Sequence, residues 1–181
     1  MALVVLLRGV NVGGHRRFRP ALLAKALVHL KVQSIGAAGT FVVGVRTTQA
    51  ALRREFAGQL PFPTEIVTCR GGDIARVLAS DALRPVGAGT GVVRFVSVLA
   101  RRARTAPALP LVLPRRGRWS LRLIARDGRI VVGDYRREMR AIRYLGQLDQ
   151  VFGVPVTTRS WSTMMTVGRA LALPVAPEIA S

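Results

Sequence analysis

The spacing of hydrophobic residues changes several times along the first half of the chain, and each change predicts a new element. The predicted elements are, in chain order, strand 2–8, helix 20–31, strands 33–38 and 40–46, helix 47–58, strand 64–69 and helix 73–79. The first strand is a continuous apolar run, which is typical of a buried central strand. Pro20 suits the first turn of the helix that follows. Apart from the short last helix, the order is β-α-β-β-α-β, the ferredoxin-like pattern.

The second half predicts the same architecture, without a visible repeat of residues. Its predicted elements are strand 92–99, an ambiguous segment 101–113, strands 119–125 and 129–133, helix 138–152, strand 155–158 and helix 161–173. Prolines allow at most a short helix in the ambiguous segment, and Asp127-Gly128 predicts a two-residue hairpin. The residues of the long helix predicted to face inward are Met139, Ile142, Leu145, Leu148 and Val151 or Phe152.

Together these patterns predict an α+β fold with two ferredoxin-like βαββαβ halves and a trailing C-terminal helix. Residues 1–83 are the N-terminal ferredoxin-like subdomain with its short helix, and residues 92–173 are the C-terminal ferredoxin-like subdomain. The Pro/Gly-rich stretch 84–91 is the candidate boundary between them. Residues 174–181 are predicted to be a flexible tail.

Composition limits the chemistry that the chain can perform. Half of its 181 residues are hydrophobic and its mean hydropathy is +0.31, which excludes a disordered basic tail. The chain has a single cysteine, Cys69, and two histidines, so it can build neither a disulfide framework nor a cysteine- or histidine-based metal centre. We therefore expect no metal and no cofactor.

The charge is strongly unbalanced, with 28 Lys and Arg against 9 Asp and Glu and a net charge of +19. A positive potential over much of the surface favours polyanionic partners, nucleic acid first. The alternative is a solvated surface whose charge follows genome composition, since the preference for Arg over Lys is typical of a GC-rich genome.

The N-terminal segment carries no recognisable targeting signal. Its apolar run ends at Arg8, and it has neither a basic start nor a small-residue cleavage pattern, so we expect no signal peptide. No run approaches the ~20 apolar residues that a membrane span needs. The sequence therefore predicts a cytoplasmic protein without a membrane partner.

A homodimer is a further prediction, since exposed sheet edges or apolar patches favour the association of two copies.

A glycine-rich and then basic segment leaves the first strand and enters the first helix. Backbone amides there can approach an anion, and the helix N-terminus and basic side chains add positive charge. The candidate anion-binding residues are Arg8, Asn11, Gly13, Gly14, His15 and Arg16. The alternative is structural: the glycines serve a tight connection, and Asn11 holds the loop through an Asx turn.

The stretch 157–163 packs five hydroxyl groups, an arginine and a tryptophan into seven residues. Its candidate ligand-binding residues are Thr158, Arg159 and Trp161, with the indole stacking on a base or ring. The structural alternative makes Ser160 the cap of the last helix and buries Trp161 against the sheet.

Cys69, at the end of a strand, is interpreted as a buried, inert thiol.

Two basic runs flank the proline-rich segment, close to Trp119, and form the most nucleic-acid-like part of the chain. Their candidate nucleic-acid-binding residues are Arg101, Arg102, Arg104, Arg115, Arg116 and Arg118. No aromatic strand signature of an RNA-recognition motif accompanies them. Paired carboxylates and a G-x-S-x-G motif are also absent from the sequence, which gives acid–base or serine hydrolysis weak support.

Two motifs at opposite ends of the chain resemble a bacterial family of uncharacterised proteins, the domain of unknown function 1697 family. The first is L-L-R-G-V-N-V-G-G at 6–14, and the second is G-V-P-V-T-T-R-S-W-S-T at 153–163. The resemblance spans nearly the whole chain. It implies an α+β fold with two ferredoxin-like halves, and it implies no known activity.

Several positions depart from the pattern of that family. Ala38-Gly39-Thr40 stands where the family usually has S-G-N, and Ser160 and Ser162 replace two asparagines of the second motif. Met164 and Met165 stand where basic residues are expected. If those asparagines bind a ligand, this chain has altered or lost that site.

Three functional hypotheses remain open at this point. The first is a non-enzymatic polyanion-binding protein, with nucleic acid as the main partner. The second is a small-molecule site or enzyme that uses the glycine-rich loop to hold a phosphate or carboxylate. The third is a dimerising interaction module. If the two halves pack side by side, both motifs lie near one groove.

Overall fold

The computed structural model describes residues 2–11, 17–80, 83 and 90–172. The first half contains β1 Leu3–Leu7, α1 Pro20–Ala26, a 3-10 helix Val28–Leu30, β2 Val32–Ile35, β3 Thr40–Val43, α2 Gln49–Gln59, β4 Ile66–Arg70 and α3 Gly71–Ala79. The second half contains β5 Val92–Leu99, β6 Leu111–Leu113, β7 Leu121–Asp127, β8 Ile130–Arg136, α4 Met139–Gly146, α5 Leu148–Phe152, β9 Val156–Ser160 and α6 Trp161–Ala172. Most of the predicted boundary and the predicted tail lie outside the described residues.

The strands form two antiparallel sheets, and the α+β class predicted from the sequence is confirmed. The first sheet has the order β2-β3-β1-β4, and the second has the order β6-β7-β8-β5-β9. Without the short edge strand β6, the two orders are equivalent: the first strand of each half lies between its third and fourth. This is the strand arrangement of a ferredoxin-like half.

The halves differ in the connection that follows their first strand. In the first half this connection contains α1, whereas residues 100–120, all of which the structure describes, contain no helix. Pro107, Pro110 and Pro114 interrupt this segment and remove backbone donors that a helix would need. The segment instead crosses the second sheet and contributes β6, while Leu109, Leu111 and Leu113 pack against the core.

The first sheet is buried on both faces, which explains the continuous apolar run in β1. Val4 and Leu6 point into a cluster that both sheets share, where they join Val96 and Val98 of β5. The alternate residues of β1 point the other way, into a cluster with α1 and α2. A third cluster lies beneath α4 and α5 on the outer face of the second sheet. The two sheets are therefore joined by apolar packing, to which α3 and α6 also contribute.

The inward face predicted for helix 138–152 is wrong at its start. The helix is divided at Gln147 into α4 and α5, and Met139 and Ile142 are 77% and 51% exposed. Ala141 is fully buried instead, because its small side chain allows close approach. The prediction is confirmed further along, where Leu145, Leu148, Val151 and Phe152 pack in the third cluster; Ala141 and Tyr144 take the inward positions at the start.

The hairpin between β7 and β8 is confirmed, but its turn lies one residue later than predicted. Asp127 pairs with Ile130, so the two loop residues are Gly128 and Arg129. Gly128 has a φ of +57°, which suits glycine at the first position of a two-residue turn. The Asp127 carboxylate is therefore free of the turn and accepts a 2.6 Å hydrogen bond from Arg76 of α3.

Candidate functional site

Arg8, just after β1, extends its side chain to the second half of the chain. Its Nη2 donates to the Asp149 carboxylate, and its Nε donates to the Val156 carbonyl oxygen over 3.2 Å. The same carboxylate accepts a 2.9 Å bond from the Val156 backbone N–H. Since β9 is an edge strand, this pair covers backbone groups that would otherwise be open to another strand.

Arg159 extends in the opposite direction, from β9 to the first half. Its Nε donates to Thr40 Oγ1 over 2.7 Å, and its Nη2 donates to the carbonyl oxygens of Leu7 (2.8 Å) and Ala38 (2.6 Å). Its Nη1 donates to the Thr158 carbonyl over 2.8 Å. All these acceptors are neutral, and no carboxylate among the described residues pairs with it. Burial lowers the pKa of this guanidinium to about 10.

Asn11 holds the entrance of the glycine-rich loop in place. Its φ is +53°, and its Nδ2 donates to the carbonyl oxygens of Phe18 (3.0 Å) and Ala37 (2.7 Å), while its Oδ1 accepts from the Phe18 N–H. This is the loop-holding role that the structural alternative predicts. Asn11 also lines a surface groove of about 840 Å³ beside Arg17 and Arg19. Gly13, Gly14, His15 and Arg16 lie outside the described residues.

Arg8 and Arg159 meet at a second cavity, of about 360 Å³, where the two sequence motifs come together. The residues that line it are Arg8, Gly9, Leu145, Gly146, Asp149, Val156, Thr157, Thr158 and Arg159. The Thr158 hydroxyl is 2.6 Å from that of Ser97 on β5. The Thr157 hydroxyl is buried and has no hydrogen-bond partner in the described part of the chain. We refer to this space as the junction cavity.

Two further residues of the second motif, Ser160 and Trp161, have structural roles. The Ser160 hydroxyl oxygen accepts a 3.2 Å bond from the Thr163 N–H, and so caps α6 as the structural alternative predicts. Trp161 is partly buried and packs against the cluster between the sheets. Asn11 and Trp161 therefore do not join Arg8, Thr158 and Arg159 at the junction cavity.

The six arginines of the two basic runs are all exposed. None has an ion pair or a side-chain hydrogen bond with another residue that the structure describes. The runs lie near opposite ends of the second sheet, however: the first follows the end of β5, and the second lies between β6 and β7, near the start of β5. The eight residues of β5 separate them by roughly 25 Å at about 3.3 Å per residue. The two runs are therefore not adjacent in space.

Trp119, next to the second run, carries two arginines on its ring. The Cζ atoms of Arg122 and Arg136 lie 4.6 and 4.3 Å from the ring centroid, within cation–π range. Arg136 also donates to the Trp119 carbonyl, and Arg122 to the Asp134 carboxylate. Arg122 and Arg136 are not among the arginines that the sequence predicts to bind nucleic acid. The predicted hairpin could have indicated both residues, because the pairing of its two strands brings Arg122 and Arg136 beside Trp119.

The cysteine and the described aspartates are not arranged as catalytic groups. Burial raises the pKa of the Cys69 thiol to about 12, so this cysteine is not a nucleophile near neutral pH. The described aspartates, Asp73, Asp127, Asp134 and Asp149, all bind arginine. Within the described ranges, no three His, Cys, Asp or Glu residues cluster as metal ligands would.

Comparison with known proteins identifies the fold but no activity. No protein-family model matches the chain, and no curated protein matches it. Among solved structures, it is similar to the conserved bacterial protein SP0830 from Streptococcus pneumoniae, with 18% identity and a TM-score of 0.57. The similarity covers 94% of this chain and 98% of that one. None of the described helices has the length and apolar character needed to cross a bilayer.

Proposed function

We propose that this protein is a non-enzymatic nucleic-acid-binding protein whose contact region is the basic surface around Trp119. This surface, called the Trp119 surface below, consists of Arg115, Arg116, Arg118, Trp119, Arg122 and Arg136. Three exposed arginines without described partners stand beside an aromatic ring that two further arginines flank. Guanidinium groups bind phosphate, and arginine and tryptophan planes both accept stacked bases.

Two observations support this proposal: the second basic run stands beside the Trp119 ring, which two further arginines flank, and its arginines have no described partners inside the molecule. Arg8, Arg94, Arg129 and Arg159 donate hydrogen bonds inside the molecule, which gives them a structural role. The arginines of the second basic run have no such role among the described residues. Their charge remains available to solvent and to phosphate, and binding rather than catalysis fits a site without free carboxylates.

The proposal is tested by two triple variants that remove the same charge from different places. The variant R115A/R116A/R118A changes the Trp119 surface, and R101A/R102A/R104A changes the run at the other end of the sheet. We expect fluorescence anisotropy with labelled RNA and DNA to show at least tenfold weaker binding for the first variant and a much smaller change for the second. Equal losses in both, or full competition by heparin, would mean that only net charge is being measured.

We also propose that the chain belongs to the domain of unknown function 1697 family and acts in the cytoplasm. The motifs at 6–14 and 153–163 support the family assignment, and the structure of a conserved bacterial protein with the same fold agrees with it. Solving the structure of a member with both complete motifs tests this assignment. A different strand order in either of its sheets would contradict it.

A further inference from the structure

We propose that the junction cavity binds a small oxyanion, a phosphate or carboxylate group, held between Arg8 and Arg159. This site is separate from the Trp119 surface and does not depend on the function proposed for that surface. It brings together a side chain from each half of the chain, and the observations that carry it are charge balance, unused donors and an unpaired hydroxyl.

The charge of the cavity is not balanced by its own residues. Two guanidinium groups and one carboxylate line it, and that carboxylate, Asp149, is engaged by Arg8 and by the Val156 N–H. Arg159 is left with neutral acceptors, although it is largely buried. Burying a charge without a counter-charge is costly. A single negative charge in the cavity would balance the remaining positive one.

The cavity also retains hydrogen-bond donors that no described residue uses. Arg8 engages its Nε and Nη2, which leaves Nη1 without a described acceptor. The Nη1 of Arg159 carries two hydrogens and donates to one carbonyl, that of Thr158. The Thr157 side chain is almost completely buried, and its hydroxyl has no described partner. Buried polar groups in proteins are nearly always hydrogen-bonded, so the Thr157 hydroxyl and the two guanidinium groups together suit an oxyanion acceptor.

The size and access of the cavity suit a small ligand. Its volume of about 360 Å³ accommodates a phosphate or carboxylate with a few additional atoms. Leu145 and Gly146 contribute apolar wall, and the Arg8 side chain is 42% exposed, so the cavity opens to solvent at that side. Asp149 beside Arg8 disfavours a highly charged anion. A singly charged oxyanion group is the best match.

The test is titration calorimetry with inorganic phosphate and, separately, with acetate, at ionic strength kept constant by NaCl. We expect at least one of them to bind with a millimolar or tighter Kd. Binding of phosphate only assigns a phosphoryl group, and binding of acetate only assigns a carboxylate. Failure of both to bind at millimolar concentration would overturn the proposal, whatever the result at the Trp119 surface.

Variants distinguish the junction cavity from anion binding elsewhere. Thr157→Val removes the unpaired hydroxyl without a change in shape and should raise the Kd about fivefold, the worth of one hydrogen bond. Thr166→Val makes the same change on an exposed part of α6, and R115A/R116A/R118A removes surface charge; both should leave the Kd unchanged. A Kd that is unaffected by Thr157→Val, or that rises mainly in the triple variant, would contradict the proposed site.

Discussion

At the scale of the residue, Arg159 illustrates how arginine holds this molecule together. A buried guanidinium with several fixed donors can satisfy carbonyl groups from several segments at once, which a lysine cannot do with the same geometry. Arg159 thereby ties β9 to β1 and to the turn before β3. Its bonds to the main chain follow from the packing of two sheets and could not be predicted from the sequence.

We expect Arg159→Met to destabilise the protein by about 3 kcal/mol, because it removes the hydrogen bonds to Thr40, Leu7 and Ala38 that join the two halves. For a chain of this length, that corresponds to a fall in Tm of roughly 6–12 °C. Arg169→Met is the matched control, since Arg169 is exposed on α6 and has no described partner. Thermal unfolding followed by circular dichroism measures both, and similar Tm values for the two variants would refute the role of Arg159.

Cys69 provides a second residue-scale prediction. Its thiol pKa is raised from 9.0 to about 12 by burial, so the folded protein keeps its proton where the unfolded chain has lost it. The unfolded state then binds fewer protons between about pH 9 and 12, and this residue makes stability fall as pH rises through that window. We expect a thiol reagent at pH 8 to leave Cys69 unmodified in the folded protein and to modify it rapidly in denaturant. Rapid modification of the folded protein would contradict this burial.

At the scale of the element, periodicity predicted most helices and strands because the core alternates with solvent on each. The predicted strand 92–99 coincides with β5, and Thr48 caps α2 by accepting from the Ala51 N–H. Periodicity failed at the start of α4, where Met139 and Ile142 are exposed although Leu145 faces inward as predicted. The choice of inward face there depends on how closely the helix backbone approaches the sheet, and Ala141 permits the closer approach.

A pair of substitutions tests the face of α4. Met139→Ala should change the free energy of unfolding by less than about 0.5 kcal/mol, because the side chain is mostly exposed. Ala141→Leu should cost about 1–3 kcal/mol, since it inserts a large side chain into a filled space. Urea titration measures both. A larger loss of stability for Met139→Ala than for Ala141→Leu would mean that Met139 faces inward, as the sequence predicts.

At the scale of the whole molecule, the arginines that are neighbours along the chain are not the ones that are neighbours in space. The sequence places two basic runs close together around one proline-rich segment, whereas the fold places them near opposite ends of the second sheet. It also brings together Arg8 and Arg159, which are 151 residues apart, at one cavity. Such relations depend on sheet packing rather than on local pattern.

A homodimer stays a prediction, which sedimentation at several concentrations would test.

The salt dependence of single-stranded nucleic-acid binding decides whether the Trp119 surface is the contact region. Each phosphate contact makes the slope of log K against log salt concentration more negative by about 0.7. If the Trp119 surface is the contact region, R115A/R116A/R118A should make that slope less negative by about 2, and R101A/R102A/R104A should leave it nearly unchanged. Equal slopes for the wild-type protein and both variants would show that the Trp119 surface is not the contact region.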